Sequence, residues 1–375
     1  MNIVYVANTR LPTEKAHGYQ IMKMCEALAS QGCAVELVVP RRKRLVAEGP
    51  FSYWGIRQSF SIIELSSPDL ISKKYIPRFV AFWIDACFFS ASAFFYVRKK
   101  KNIDIIYARD REVSVLSLFL GVPMIFEVHF LPRALFLYKT LWRQLYKIIT
   151  ITQGLKLLLV GAGFKESRIM VLPDGVDLNV FKNLPSKAEL RKELGISDDQ
   201  FIVLYAGQLF SWKGVQTLIA SAKKLPRESA VFIVGGTDAD IQKLKGEASH
   251  NVVFVGHVLP QQVPKWLCAA DVLVLPNSAR FDISKYYTSP LKLFEYMASG
   301  IPIVASDLPS LREILNEQNS FFFVPDNAIS LADSLITVRN NYVEAEKRAK
   351  RARDEVKCYT WERRAEHICA ILRNI

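Results

Sequence analysis

Four side chains in this sequence have the type and setting to do chemistry: Glu295, Lys292, Lys213 and His129. The first two belong to the stretch SPLKLFEYMASGIPIVASD, Ser289–Asp307. Ser289 suits a helix N-cap and Pro290 the first helical position, while Gly300 and Pro302 end the helix and start the next strand. Such a helix leaves backbone N–H groups free at its start, those of Leu291 and Lys292 included, and these attract anionic oxygens such as a diphosphate. Lys292 adds a full positive charge. Glu295 follows about five residues after the first helical position, roughly 7–8 Å along the axis. A carboxylate there can accept both hydroxyls of a ribose. An exposed helix glutamate is the plainer alternative, and the flanking Phe294 and Tyr296 count against it. Lys213, before Gly214, stands where a strand gives way to a helix, at the carboxyl edge of a sheet; it suits an anion, although an exposed lysine is common there. His129 closes the apolar run IFEVH, again at a strand's carboxyl end, where a histidine is well placed to meet a ligand.

These residues need a scaffold, and the pattern of apolar runs supplies one. Residues 3–7, 35–39, 103–107, 124–127 and 147–151 read as strands of one parallel sheet, with a helical pattern over 18–31 through Ile21, Met24 and Leu28. The rhythm restarts at 201–205, 230–234, 252–255, 272–275 and 301–305. The chain is thus read as α/β, two Rossmann-like doubly wound domains of residues 1–180 and 181–360 facing a cleft. A last helix, about 361–375, is free to cross back onto the first domain. Between the two lies PDGVDLNVFKNLP, in which Asp174 and Asp177 read as turn and capping residues.

Composition narrows the partners. Residues 1–195 hold 28 Lys and Arg against 16 Asp and Glu, and the remainder 21 against 20, so the surplus of +13 belongs almost wholly to the first half. That asymmetry points to an anionic partner, membrane lipid or a phosphorylated substrate; no nucleic-acid recognition module is present. The six cysteines show no CxxC spacing, which favours free thiols, and MNIVYVANTR reads as a strand rather than a secretory leader, so the expected location is the cytoplasm. Residues 79–97, FVAFWIDACFFSASAFFYV, hold one charge, Asp85, before the basic run 98–101. A spanning helix would cut the first domain in two, so a buried or interdomain helix is expected, ahead of one lying on a membrane surface. Residues 134–149, ALFLYKTLWRQLYKII, are amphipathic and basic through Lys139, Arg143 and Lys147, and suit either a surface helix or contact with a lipid-linked acceptor. Asp238-Ala239-Asp240 has the short form of a manganese-binding motif but begins a helical pattern, so capping is the better reading.

Ser289–Asp307 resembles the donor-binding motif of the large family of retaining glycosyltransferases with the GT-B fold, family four or group one. YAGQLFSWKGVQTLI (205–219), FVGHVLPQQVPKWLCAADVLVLPN (254–277) and VLPDGVDLNVF (171–181) are similar to further family motifs, in the family's order. The resemblance covers nearly the whole chain. It implies that Lys213 and Lys292 contact the donor diphosphate, that Glu295 holds the ribose, and that His129 faces the transferred sugar. It also implies close backbone approach to the phosphates at Gly18, for which a plain helix-start glycine is an equal reading, a donor-side glycine at Gly207, and a nucleobase held by backbone around Val258. The family often has arginine after the glycine matching Gly207; here Gln208 stands there, and a neutral amide shifts the phosphate load to the lysines. The expected catalytic set is therefore His129, Lys213 and Glu295. The donor-binding set adds Gly18, Gly207, Gln208, Val258, Ser289, Leu291 and Lys292, with neither metal nor cofactor.

One departure matters. Many members carry a second glutamate eight residues before the one matching Glu295, and here that position is Tyr287. The SP-x-K-x-FEY form looks like a variant within the family, so transfer is still expected. A contact to the sugar hydroxyls must then come from elsewhere, with Asp282 the nearest upstream carboxylate. The implied reaction is retaining transfer from a nucleotide-diphosphate sugar, UDP- ahead of GDP-, to an envelope polysaccharide or lipid-linked acceptor, with the basic first half on an anionic membrane surface. A non-catalytic nucleotide-sugar-binding module, a sugar-nucleotide epimerase of the same fold and a metal-dependent transferase are the competing readings.

Overall fold

Apolar runs of three to seven residues become the strands of two parallel sheets, the central ones buried on both faces. The computed structural model describes residues 1–44, 46–73, 75–132 and 134–373. Contacts divide the chain into one unit of residues 1–173 with those from 361 onward, and a second of 174–360.

The first unit holds β1 (Asn2–Val6), β2 (Ala34–Pro40), β3 (Ser61–Leu65), β4 (Ile105–Ala108), β5 (Met124–Val128), β6 (Lys147–Thr150) and β7 (Ile169–Val171). They pair in the order β3-β2-β1-β4-β5-β6-β7, with Ile3 opposite Val35 on one side and Ile105 on the other. The helix Ala16–Ser30 joins β1 to β2 and packs against the helix Trp361–Leu372, each lending a buried apolar face.

The second unit holds β8 (Phe201–Ala206), β9 (Ser229–Val234), β10 (Val252–Gly256), β11 (Val272–Leu275), β12 (Ile303–Ser306) and β13 (Phe321–Phe323), in the order β10-β9-β8-β11-β12-β13. Alternation along β8 feeds two cores. Ile202 and Leu204 join Leu273, Phe294 and Met297 on one face, while Val203 and Tyr205 join Val272, Val274 and Leu218 on the other. Both units are therefore α/β with doubly wound parallel sheets. In the second, the strand order reverses between β8 and β11, which opens a crevice at their carboxyl ends.

Several local expectations change. The division expected at residue 180 falls at 173, because Val176 bridges to Thr360 and the Asp174 N–H donates to Ser289 Oγ at 3.2 Å. The strands β3, β7 and β13 have no counterpart in the sequence reading; all three sit at sheet edges and are short. The helix expected to be buried at 79–97 runs Arg78–Lys99 but buries one side only: Ala81, Ala86, Phe89, Ala93 and Val97 are covered, whereas Phe88 and Phe95 are 58% and 60% exposed. Asp85 is fully buried, accepting the N–H groups of Leu70 and Ile71 at 3.0 and 3.1 Å. Residues 134–149 are not one amphipathic helix; the helix covers Leu135–Trp142 and Lys147 already belongs to β6. Asp240 completes a capping box with Thr237 at the start of the helix Asp238–Lys245. Of the C-terminal helix expected over 361–375, residues 374 and 375 lie outside the described residues.

Candidate functional site

The crevice of the second unit gathers most of the charged residues singled out in the sequence. β8 ends at Ala206, and the chain turns through Gly207 and Gln208 to a short 3-10 turn, Ser211–Lys213. Gly214 then has φ of +68°, and a Cβ there would lie 1.9 Å from the Pro276 carbonyl oxygen after β11. The Ser278 N–H donates to the Trp212 carbonyl at 3.1 Å. The loops from the two strands flanking the reversal are thus held together by backbone, and only glycine fits at their contact. This seats Lys213, which is 9% exposed, with its Nζ 3.8 Å from the centre of the Trp212 ring. Burial lowers its pKa from 10.5 to about 7.

Lys292 comes from the helix Leu291–Ser299. It is 8% exposed, its Nζ lies 3.5 Å from the centre of the Tyr205 ring, and it has no hydrogen-bond partner. Gly207, at φ of +139°, lets it in: a Cβ at that position would come within 3.0 Å of Nζ. The Tyr205 hydroxyl donates to the Gln208 carbonyl at 2.6 Å, fixing the ring beneath the amine. Burial drives the Lys292 pKa well down, the nearby Lys213 lowers it further, and Glu295 opposes both. Glu295, one turn along the helix and half-buried, has its own pKa raised to about 7 by burial, against the pull of Lys292. The neighbouring Tyr296 anchors this helix, its hydroxyl oxygen accepting the Ala206 N–H at 2.8 Å. Two desolvated amines and a reluctant carboxylate therefore converge on the end of β8. An anion with several oxygens would relieve the amines, and the amides of Leu291 and Lys292 at the helix start favour the same charge.

The first unit carries a different device around His129. Glu127, two residues earlier on β5, is fully buried and receives four donors on its two oxygens. Gln20 Nε2 and His129 Nε2 reach Oε1 at 2.7 and 2.6 Å; Arg364 reaches Oε2 at 3.0 Å, and the Tyr107 hydroxyl also donates there. Burial alone would raise the Glu127 pKa, but Arg364, His129 and Arg109 outweigh it and hold it well below the usual range. An ionised carboxylate only accepts, so Nε2 of His129 carries the proton and Nδ1 is left as an acceptor. Burial and Arg109 lower the His129 pKa to about 4 against the opposing Glu127, which keeps the ring neutral at pH 7.

The remaining expectations fare unevenly. Ser289 is not the helix cap: Pro290 takes that position, and the Ser289 hydroxyl accepts from Asp174 instead. Gly18 lies inside the helix Ala16–Ser30, where a Cβ would meet Thr13 Cγ2 at 2.4 Å and Trp54 Cη2 at 2.9 Å, so the close approach there is to the protein itself. Val258 follows β10 and packs, half-buried, against the second unit's core. Asp282 opens the helix Asp282–Tyr286 and is exposed, with no hydrogen bond or ion pair to the lysine cluster among the described residues; Tyr287 ends that helix half-buried. Structure brings Gly207, Gln208, Lys213, Lys292 and Glu295 together, and adds Tyr205 and Trp212. It also adds Glu127, Gln20 and Arg364, for which one signal was present: an acid inside an apolar strand, two positions from a histidine and so on the same face.

Comparison with known proteins follows this division of the chain. A family model described as Glycosyltransferase Family 4 matches residues 18–180, and one described as Glycosyl transferases group 1 matches residues 200–341. Alpha-galactosylglucosyldiacylglycerol synthase of Streptococcus pneumoniae is 29% identical over 166 residues, 42% of each chain. The matched stretches span about half the length of the curated relatives, from 41% to 57% for the first four. Among solved structures, sucrose-phosphate synthase from Thermosynechococcus elongatus superposes with a TM-score of 0.80 at 20% identity, over 100% of this chain and 98% of its own. The Anabaena protein HepE, crystallised with UDP and glucose, gives 0.77 at 17% identity, over 100% and 99%. At these identities the likeness shows the fold, that of GT-B glycosyltransferases.

Proposed function

Because the chain belongs to the group 1 glycosyltransferases of family 4, we propose that it moves a sugar, with retention of anomeric configuration, from a nucleotide-diphosphate sugar to an envelope polysaccharide or lipid-linked acceptor in the cytoplasm. The observation that carries this reading is the pair of buried lysines at the carboxyl end of β8, Lys213 and Lys292, the latter one turn from Glu295 on its helix. Lys213, Lys292 and the amides of Leu291 and Lys292 take the diphosphate; Glu295 takes the ribose hydroxyls; backbone near Val258 takes the base. UDP is preferred to GDP, in keeping with the Anabaena neighbour that binds UDP. The glycolipid synthase among the relatives supports a lipid-linked acceptor.

The chemistry follows from where the charge develops. The bond from the anomeric carbon to the diphosphate oxygen breaks, and the acceptor oxygen bonds to the same face. Its proton passes to the departing diphosphate. Charge accumulates on that oxygen, and the two amines and helix amides stabilise it there, with no metal required. His129 accepts a sugar hydroxyl at Nδ1, oriented by Glu127. Tyr287 leaves the remaining sugar contacts to Asp282, Ser289 or backbone, and so marks where donor choice is set.

A thermal-shift panel of UDP- and GDP-sugars, followed by transfer assays with membrane and glycan acceptors, tests the reading. One nucleotide sugar should raise the melting temperature and yield an α-linked product from an α-linked donor, with EDTA present. The absence of binding, hydrolysis and transfer across the panel would overturn it.

A further inference from the structure

The helix Arg78–Lys99 shows solvent a face with no charge until its end. Val80, Ile84, Cys87, Phe88, Ala91 and Phe95 are all exposed and recur at steps of three and four, which places them on one stripe about 22 Å long. A helix face that simply meets water carries charged and polar residues. At its carboxyl end stand Arg98, Lys99 and Lys101, exposed and without a carboxylate or hydrogen-bond partner among the described residues, whereas Lys100 is tied to Glu36. Arg98 lies 5.7 Å from the Phe94 ring, which stands 6.4 Å from the 66% exposed Phe119. A cavity of about 390 Å³ at this end is lined by Val97, Arg98 and Phe119 among others, so an apolar wall and an unpaired guanidinium share one opening.

We propose that this face docks on a bilayer containing anionic lipid, with Phe88 and Phe95 below the head groups and Arg98, Lys99 and Lys101 on lipid phosphates. The charge pattern selects this occupant. A second copy of the chain packed parallel along the stripe would set the cations at its end against their own counterparts, whereas lipid phosphates complement them. Insertion across the bilayer is opposed by the buried side, which packs on β3 and on the 70–72 turn that Asp85 holds. Lying in the interface satisfies both halves of the helix at once. The inference goes beyond transfer itself, and holds for a glycan or a lipid acceptor alike.

Flotation of the full chain with vesicles tests it. Binding should be at least tenfold stronger to vesicles containing phosphatidylglycerol than to phosphatidylcholine alone, and should weaken with salt. Phe88→Asp with Phe95→Asp should cut partition more than about tenfold, as should reversing Arg98, Lys99 and Lys101 to glutamate. All five positions are exposed, so melting temperature and nucleotide-sugar binding, both read without vesicles, should not change. That readout separates a failure here from a failure of the transferase reading. Absence of flotation with anionic vesicles would overturn the proposal. So would a dimer by light scattering that Phe88→Asp dissociates, or full partition of the doubly substituted protein.

Discussion

Replacing Lys292 with methionine should make the protein more stable and remove its anion site in one step. The Lys292 amine is buried without a hydrogen bond, and a buried polar group left in that state costs about 1–3 kcal/mol. Its position 3.5 Å from the Tyr205 ring centre returns about 0.5–2 kcal/mol, and repulsion from Lys213 works against it. Methionine keeps the length and the apolar contacts, so the net gain is about 1 kcal/mol, or about 2–4 °C for a domain of this size. The sign with pH follows from the lowered lysine pKa. Between that depressed folded value and the ordinary 10.5, the unfolded chain binds more protons, so wild-type stability rises with pH through this window. The advantage of the variant should therefore be fullest below the depressed folded pKa of Lys292, and fade towards pH 10. Calorimetry with and without nucleoside diphosphate reads both effects. A ligand at a hundred times its Kd should stabilise wild type by about 2.7 kcal/mol and the variant far less. A variant that melts lower without ligand, or keeps the wild-type shift with it, would refute the account of Lys292 as a strained cation held for an anion.

Affinity for a nucleoside diphosphate should fall as pH rises from 7 to 9, by up to about tenfold per unit, because free Lys213 gives up its proton from about 7 upward while the bound form keeps it; titration calorimetry in buffers of different ionisation enthalpy should register proton uptake. Glu127→Ala leaves the Arg364 charge uncompensated and should cost about 3–5 kcal/mol in urea unfolding. Its conservative counterpart Glu127→Gln keeps the shape and should lower kcat more than it alters KM for the nucleotide sugar. Gly214→Ala drives a Cβ into the Pro276 carbonyl at a left-handed φ and should cost more than about 3 kcal/mol in the same measurement.

How legible each part was depends on how local its cause is. Central strands such as β1, β8 and β11 are buried on both faces, so their apolar runs are continuous and easily read. Edge strands bury less and left weaker marks, as SIIEL of β3 and FFF of β13 show. The lysine and glutamate of Ser289–Asp307 could be read because a helix start and its first turns are set by neighbouring residues. The identity of the cap could not, since Asp174, 115 positions away, claims the Ser289 hydroxyl. Arg364 and Glu127 were invisible as a pair for the same reason. The Arg78–Lys99 helix failed differently: apolar residues on both faces erase the periodicity that would say which side the protein covers.

The return of residues 361 onward to the first unit imposes an order on synthesis. Unit two is continuous in sequence, so everything it needs has been synthesised before Trp361 is added. The first unit is then still missing the guanidinium that makes a carboxylate tolerable at the centre of its sheet. A chain ending near residue 360 therefore holds one complete domain and one in which the carboxylate of β5 lacks its arginine partner. Its amino-terminal half waits on its last helix, and should be the part open to protease and chaperone until that helix arrives.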